Sequence, residues 1–211
     1  MHLSVAGWTG RDPAKVQQHI DELAELGIKP PSTVPLFYRV SSALLTHSDR
    51  IDVVGAHSSG EVEPLLVVVD NMIYLGLGSD HTDRALEAHS IALSKQICAK
   101  PVSGELWPFD SVNDHLDALE MTSWIYEEGG WVIYQQGNLS AIRPLEELIA
   151  ASGIRDLELK AGEAAAMLCG TLGITSGGVR SASAFRMELY DPKFNRKIDH
   201  IYEIITLPNI S

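Results

Sequence analysis

Three carboxylates flank one strongly apolar stretch of the sequence. Glu61 and Glu63 open the run "EVEPLLVVVD", and Asp80 ends the following run, "MIYLGLGSD". Side chains at positions i and i+2 of a strand point to the same face, so the two glutamates project together if this segment is extended. Two carboxylates held so close raise each other's pKa or need a cation between them. The spacing therefore indicates a cation site.

The types of these side chains indicate which cation would bind. Mg²⁺ prefers oxygen ligands and keeps several waters, so Glu61, Glu63 and Asp80 would leave open positions for a substrate. No cysteine or pair of histidines accompanies them, which argues against Zn²⁺. Other interpretations stay open: the glutamates could be solvated on an exposed strand face, Asp80 could cap a helix, and His81 or Asp83 could be the third ligand.

The composition bounds the class of protein. The chain has 211 residues, a net charge of −12 and no cluster of Lys and Arg, which argues against a nucleic-acid partner. We recognise no signal peptide and no apolar stretch of the roughly 20 residues needed to span a bilayer, so we predict a cytoplasmic protein without a membrane partner. The two cysteines, Cys98 and Cys169, lack zinc-site spacing and are predicted to be free and buried.

Helix signals occur in three places. The stretch "DPAKVQQHIDELAELG" is predicted to form a helix that Asp12 caps, Pro13 begins and Gly27 ends. Residues 82–97 carry a second helical pattern, and "RPLEELIAASG" is predicted to form a short third helix.

Most other segments have the composition of short strands. One turn is predicted at Asp70 and Asn71, and a second hairpin is predicted around Gly129 and Gly130. Because the strands do not alternate regularly with helices, we predict a β-rich α+β fold in a single domain over residues 1–211. The predicted strands are "LFYRV", "RIDVVG", "EVEPLLVVVD", "MIYLGLGSD", the two halves of "LEMTSWIYEEGGWVIYQQG", "EAAAMLCGTLG", "AFRMELYD" and "HIYEIITLP".

The order of several motifs resembles the fumarylacetoacetate hydrolase superfamily over roughly residues 19–205. The segments "EVEPLLVVV", "GLGSD" and "HTDRALE" follow one another as in its metal-binding segment. The chain resembles most a bacterial branch known only as a domain of unknown function, on the wording of "LFYRVSSALLT", "GSDHTDR" and "ELWPFD". Further similar blocks are "HIDE" for the H-x-x-E of a mobile lid, "SKQICAKPVS" for a lysine segment, "VIYQQGNLSAIRPLEELIA" for an R-Q-x-G segment and "LELKAGEAAAMLCGTLG" for an L-x-x-G-D segment.

This resemblance implies a fold, a reaction class and a set of site residues. The fold would be a mixed β-roll with short peripheral helices and a lid helix over about residues 12–27, in a homodimer. In the chemistry of this superfamily, a 2-oxo acid or 1,3-dicarbonyl chelates Mg²⁺ or Mn²⁺, which stabilises an enolate. The implied site residues are Glu61, Glu63 and Asp80 for the metal, Lys95, His19 and Glu22 for catalysis, and Arg39, Gln136 and Thr171 for the small oxo-acid substrate.

Two departures from the superfamily pattern affect these expectations. Pro64 stands where leucine is usual and removes a backbone donor, so its strand end is predicted to lie at an edge or a bulge. Arg39 stands beside the position of a usual lysine and could bind a carboxylate with different geometry.

Three functional hypotheses follow. The first is a metal-dependent hydrolase or lyase, with C–C hydrolysis, decarboxylation, hydration and isomerisation all open because they share one enolate. The second is a non-catalytic protein that binds a metal–dicarboxylate complex. The third is a protein that keeps only the fold, in which the carboxylates are solvated, Lys95 is an ordinary surface lysine and His19 belongs to the polar face of a helix.

Overall fold

The architecture consists of short strands joined by tight turns. The computed structural model describes residues 1–25 and 29–210. The strands are β1 (His2–Gly7), β2 (Leu36–Val40), β3 (Leu45–Thr46), β4 (Arg50–Val54), β5 (Ser58–Ser59), β6 (Val62–Val69), β7 (Met72–Ser79), β8 (Thr82–Asp83), β9 (Lys100–Pro101), β10 (Trp107–Pro108), β11 (Glu120–Glu127), β12 (Gly130–Asn138), β13 (Ala164–Leu168), β14 (Ala184–Asp191) and β15 (Arg196–Leu207). The α-helices are α1 (Pro13–Glu25), α2 (Arg84–Glu87), α3 (Ile91–Gln96) and α4 (Leu145–Ser152), and 3₁₀ turns lie at Ser42–Leu44, Phe109–Ser111, Leu116–Ala118, Leu139–Ala141 and Ile154–Asp156.

The longer strands form two mixed sheets. The first sheet has the order β10-β7-β6-β13-β1-β2, and the second has the order β12-β11-β14-β15-β4. Most neighbours are antiparallel, but β1 is parallel to β13 and β15 is parallel to β4. Two small pairs, β3 with β9 and β5 with β8, complete the strand pairing in the described part of the chain.

The first sheet is buried on both faces. One face shares a core with the second sheet, in which Leu66 of β6 belongs to the same cluster as Met121 and Phe185. The other face packs in a smaller cluster that includes Leu3 and Leu65. Burial on both faces explains why β6 is a continuous apolar run rather than an alternating one.

A tight hairpin between β6 and β7 positions the carboxylates. Asp70 and Asn71 form its turn with φ of 49° and 62°, the left-handed conformation that two-residue hairpins need and that Asn and Asp tolerate. In the resulting register Val62 pairs with Ser79, so Asp80 lies just beyond the last pair, and its N–H donates to the Glu61 carbonyl over 3.0 Å. The hairpin thus brings the two ends of the motif together.

The helix predictions are confirmed in two cases and wrong in one. Asp12 accepts from Ala14 N over 3.0 Å at the start of α1, whereas the predicted end at Gly27 lies outside the described residues. At the end of α4, Gly153 has a φ of 63°. The single helix predicted over residues 82–97 is instead α2 and α3, because Ser90 is extended (φ −162°) and its hydroxyl caps α3.

The predicted strands all appear, and six further strands were not predicted, namely β1 and the two-residue strands β3, β5, β8, β9 and β10. Strand β1 lies in the interior of the first sheet, between β13 and β2. The second predicted hairpin turns at Glu128 and Gly129, with φ of 50° and 84°, one residue before the predicted pair.

The predicted edge or bulge at Pro64 is wrong, because β6 is an interior strand and pairs with β7 through Pro64 without a register shift. The Pro64 carbonyl accepts from Cys169 N over 3.1 Å. Because the N and C=O of a strand residue point to the same side, the ring nitrogen of Pro64 also points towards β13, whose pairing with β6 ends at Leu65. The missing N–H therefore costs no bond to β7.

The remaining sequence predictions concern the cysteines and membrane segments. Cys98 and Cys169 are free and buried, as predicted. Among the described residues, no helix has the length and apolar character that crossing a membrane requires.

Candidate metal centre

The three carboxylates converge at the mouth of the β6–β7 hairpin. One oxygen each from Glu61, Glu63 and Asp80 lies within 4.8 Å of the other two, and these residues form a group that could hold a metal ion. Glu63 and Asp80 are buried, and Glu61 is partly buried. The solvated-glutamate interpretation is therefore wrong for Glu63, since a buried carboxylate must be neutralised or paired.

Asp80 is paired with two lysines. Lys95, from α3, donates to Oδ2 of Asp80, and Nζ of Lys100, from β9, lies 3.1 Å from Oδ1. Burial alone would raise the pKa of Asp80, but the two ammonium groups outweigh burial and lower that pKa to about 2. The same carboxylates raise the pKa of Lys95 against the effect of its burial. Asp80 and Lys95 are therefore both charged at neutral pH.

Glu63 has the opposite electrostatic environment. Its burial, followed by the charges of Asp80 and Glu61, raises its pKa well above the usual value. A single backbone donor, Gly170 N, contacts its Oε2 over 2.8 Å. This carboxylate therefore has few partners of its own and favours either a proton or a further cation.

Glu61 is held from the side by an arginine. Nη2 of Arg84 lies 3.2 Å from Oε1 of Glu61. The same guanidinium contacts Glu87 over 2.9 Å and donates to the Ser59 hydroxyl over 2.8 Å. Because a guanidinium with three partners has a fixed orientation, Arg84 in turn restricts where the Glu61 side chain can point.

These residues fit a divalent metal ion of the Mg²⁺ type. The ligand set consists of three carboxylates, the hard oxygen donors that such ions select. Oδ1 of Asp80 is buried and, among the described residues, has no partner with hydrogen-bond geometry, although Lys100 is close. The raised pKa of the buried Glu63 carboxylate is a feature that a bound cation would compensate.

Neither His81 nor Asp83 replaces Asp80 as the third ligand. Both ring nitrogens of His81 are engaged at 3.0 Å, Nδ1 with the Tyr202 hydroxyl and Nε2 with the Ser58 hydroxyl. Burial, with the positive charges of Lys100 and Arg84, lowers the pKa of His81 to about 3, so the ring is neutral. Asp83 caps α2 by accepting from Leu86 N over 2.8 Å, and this assigns the predicted cap to Asp83 rather than to Asp80.

A buried glutamine connects the carboxylate strand to the segment that carries Gly170. Oε1 of Gln135 accepts from Val62 N over 3.0 Å, and its Nε2 donates to Oγ1 of Thr171 over 2.7 Å. Thr171 also donates to the Val62 carbonyl over 2.8 Å. The structure thus brings Thr171 beside the metal ligands, whereas Gln136 points the other way in β12 and is exposed.

The predicted lid residues lie on the exposed side of α1. The side chains of His19 and Glu22 are 62% and 58% exposed, and Nδ1 of His19 lies 3.8 Å from Oε2 of Glu22. The His19 ring lies 5.9 Å from that of Trp8, whose indole donates to the Tyr38 hydroxyl over 3.2 Å. Since Nζ of Lys95 is 5.9 Å from the centre of the Tyr38 ring, aromatic contacts connect the lid helix to the lysine.

Arg39 is not on the side of β2 that faces Lys95. Neighbouring residues of a strand point to opposite faces, so Arg39 points away from the face occupied by Tyr38. Its guanidinium contacts Nδ1 of His2 over 2.8 Å at the exposed edge of the sheet. The carboxylate-binding role predicted for Arg39 stays a prediction.

Comparison with known proteins identifies the family of this chain. The family profile described as "Protein of unknown function (DUF2848)" matches residues 6–202. The chain belongs to the DUF2848 family. No curated protein matches it.

Solved structures share the fold of this DUF2848 chain at low sequence identity. The apo form of 2-keto-3-deoxy-D-arabinonate dehydratase is 17% identical with a TM-score of 0.69, over 98% of this chain and 73% of that one. The same dehydratase complexed with magnesium and 2,5-dioxopentanoate is 16% identical with a TM-score of 0.68, over 99% and 74%. Cg1458 with inhibitor is 15% identical with a TM-score of 0.66, over 98% and 77%. The predicted β-rich, fumarylacetoacetate-hydrolase-like fold is confirmed.

The DUF2848 site also contains residues that the sequence analysis missed. Lys100 was not singled out, although a lysine inside the apolar segment "CAKPV" is a detectable signal, since lysines are rarely buried without a partner. Arg84 and Gln135 had only the polarity of their side chains as a signal. Nothing in the local sequence indicates that Gly170 donates to Glu63.

Proposed function

We propose that this protein is a divalent-metal-dependent lyase or hydrolase that acts on a small 2-oxo acid or 1,3-dicarbonyl compound. The observation that carries the proposal is the Glu61–Glu63–Asp80 group, in which Glu63 and Asp80 are buried and Lys95 contacts Asp80. The dehydratase that shares the fold was crystallised with magnesium and 2,5-dioxopentanoate, which supports Mg²⁺ and an oxo acid as the ligands to test. When bound, the metal would act as a Lewis acid that polarises the substrate carbonyl.

The side chains of this chain then have distinct tasks. Glu61, Glu63 and Asp80 hold the metal. Lys95 contacts Asp80 and is the more exposed of the two lysines beside that carboxylate, and its ammonium would stabilise the negative charge that develops on a substrate oxygen. Thr171 offers a hydroxyl at the same end of β6.

The His19–Glu22 pair is the candidate for moving a proton. A carboxylate beside an imidazole orients the ring and supports its action as a base. The contacts that run from His19 through Trp8 to Tyr38, whose ring Lys95 approaches, support this role. Hydrolysis, decarboxylation, hydration and isomerisation differ in which proton this pair would move, so a substrate screen has to include all four.

Thermal unfolding of metal-stripped protein tests the metal site. Mg²⁺ or Mn²⁺ should raise the melting temperature and oxalate, as a dicarboxylate probe, should raise it further, because a ligand at about 100 times its Kd adds roughly 2.7 kcal/mol. Glu63→Gln should abolish both shifts. Glu158→Gln, which alters an exposed glutamate, is the matched control and should respond like the wild type. Equal shifts in wild type and Glu63→Gln would contradict the assignment.

A second candidate function is a non-catalytic protein that binds a metal–dicarboxylate complex. The exposure of His19 and Glu22 and the 3.8 Å between them favour it, since a proton-transfer pair is usually closer and more enclosed. The enzyme hypothesis is supported if the wild type turns over a 2-oxo acid and His19→Ala loses this turnover while it still binds metal and oxalate. Full turnover in His19→Ala removes this pair from the mechanism, and metal binding without turnover across the screen supports the binder.

A further inference from the structure

Two lysines contact the same carboxylate, and their surroundings differ. Nζ of Lys100 lies 3.1 Å from Oδ1 of Asp80 and donates to the His81 carbonyl over 2.5 Å, and its side chain is fully buried. Lys95 contacts Oδ2 of Asp80, and its side chain is 8% exposed. Lys100 therefore has an ion-pair partner and a hydrogen-bond acceptor on consecutive residues, Asp80 and His81, whereas Lys95 contacts Asp80 alone of these two.

The backbones that carry the two lysines also differ. Lys100 belongs to β9, which pairs with β3, and the two residues after Pro101 are tied down: Val102 N donates to the Thr46 carbonyl over 2.9 Å, and Ser103 N donates to the Leu77 carbonyl over 2.9 Å. The segment that follows Lys100 is thus bonded to β7, the hairpin strand that leads to Asp80. Lys95 belongs instead to the six-residue helix α3, which has exposed apolar side chains.

We infer that Lys100 is a positioning residue that holds Asp80 and the adjacent backbone in place for the metal, and that Lys95 is an exchangeable cation that leaves Asp80 when the metal binds. The inference rests on the proposed metal site and deepens it. Its physical basis is that a divalent ion and an ammonium compete for the same carboxylate oxygen. Of these two lysine side chains, only that of Lys95 is partly exposed, and the Tyr38 ring, whose centre lies 5.9 Å from its Nζ, offers an alternative partner.

This division of roles predicts effects of opposite sign on metal affinity. Charge alone predicts that removing either lysine tightens metal binding, because the variant loses one positive charge that repels the metal ion. If Lys100 positions Asp80, Lys100→Met should instead weaken Mg²⁺ and Mn²⁺ binding by about tenfold or more, the usual effect of losing an outer partner of a ligand. Lys95→Met should tighten it several-fold. Calorimetric titration of metal-stripped protein measures both values.

Two outcomes of the titration would overturn the inference: tighter binding in both variants, or unchanged binding in Lys100→Met. Lys100→Gln, which keeps a donor for the His81 carbonyl, is the second variant in case Lys100→Met does not fold. It should weaken metal binding less than Lys100→Met does, and more than Lys15→Met, which alters an exposed lysine of α1 and should leave affinity unchanged.

A measurement on the unsubstituted protein keeps the inference testable if neither Lys100 variant folds. In metal-stripped protein with ¹⁵N-labelled lysine, both buried ammonium groups should exchange their protons slowly, and Lys95→Met assigns the two signals. Metal should shift the Lys95 signal and speed its exchange, while the Lys100 signal stays protected. Equal changes in both signals would overturn the inference.

Failure of the proposed function has a separate signature. If wild-type protein binds neither metal, the metal site is wrong. The ammonium signals of the metal-stripped protein then still report whether Lys100 is the more protected of the two, which is the positioning half of the inference. A Lys100 signal that exchanges as fast as that of Lys95 would overturn that half as well.

Discussion

The backbone N–H of Gly170 donates to Oε2 of Glu63 over 2.8 Å, 107 residues away in the sequence. Gly170 has a φ of 99°, and a Cβ at this position would lie 1.7 Å from Oγ1 of Thr9. Only glycine fits both the backbone conformation and the space. The segment after β13 can therefore reach the buried glutamate only because residue 170 has no side chain.

Gly170→Ala should lower the free energy of unfolding by about 3 kcal/mol or more, because backbone strain and a clash with Thr9 act together. Metal binding should weaken as well, because the strain and the clash with Thr9 would displace the backbone N–H of residue 170 that donates to Glu63. Urea unfolding of metal-stripped protein measures the first effect and calorimetry the second. Gly173→Ala is the control, because a Cβ at Gly173 meets nothing within 4 Å. Similar stability of the two variants would contradict the prediction.

Gln135 and Gln136 should have different effects when substituted. Gln135→Met keeps the side-chain volume but leaves Val62 N and the Leu172 carbonyl without their partner, so we expect a loss of about 2–3 kcal/mol in the free energy of unfolding. Gln136→Met alters an exposed side chain and should change stability by less than about 0.5 kcal/mol. Substrate turnover in Gln136→Met separately tests the substrate-binding role implied for Gln136, and unchanged turnover would exclude that role.

His81 should make the protein less stable in acid. Its pKa is lowered to about 3 in the folded protein from about 6.5 in the unfolded chain, so the unfolded state takes up a proton first as pH falls. The stability that the neutral ring contributes is complete above pH 6.5 and is lost progressively towards pH 3. Linkage predicts a loss of about 2–3 kcal/mol between pH 6.5 and pH 4.5.

Denaturant unfolding at both pH values checks this prediction. His81→Asn cannot titrate and should show a smaller decrease between the two pH values than the wild type. His89→Gln alters an exposed histidine and should show the wild-type decrease. An equal decrease in all three proteins would assign the acid sensitivity to other groups.

The two free thiols should be unreactive in the native protein. Burial raises the pKa of Cys98 to about 11, and burial with the charge of Glu63 raises the pKa of Cys169 well above its usual value. Because the thiolate is the reacting form, neither should react with dithiobis(nitrobenzoate) at pH 8 until the protein unfolds. Guanidinium should then release two equivalents of chromophore. Fast labelling of one thiol in native protein would show that the site of Cys98 or Cys169 opens.

The sequence alone was sufficient for the elements that depend on local interactions. The Asp70–Asn71 turn and the Asp12 cap could be predicted because the residues that stabilise them are neighbours in the chain. Residues 82–97 were mispredicted because their apolar pattern is continuous, while the extended backbone of Ser90 divides the helix. Strand β1 was missed because an interior strand depends on partners distant in the sequence, here β13 and β2.

For the site, the sequence determined which carboxylates could share a cation, and the tertiary structure decided what surrounds them. Glu61, Glu63 and Asp80 were predictable because one hairpin carries all three. Whether Gln135 or Gln136 lies at the site depends on which face of β12 packs against β6. A one-residue change of register would exchange the two residues. Lys100 reaches Asp80 only because the segment that follows β9 is bonded to β7. Local sequence specifies turns, caps and periodicity. Which face of one strand packs against another depends on packing across the whole core.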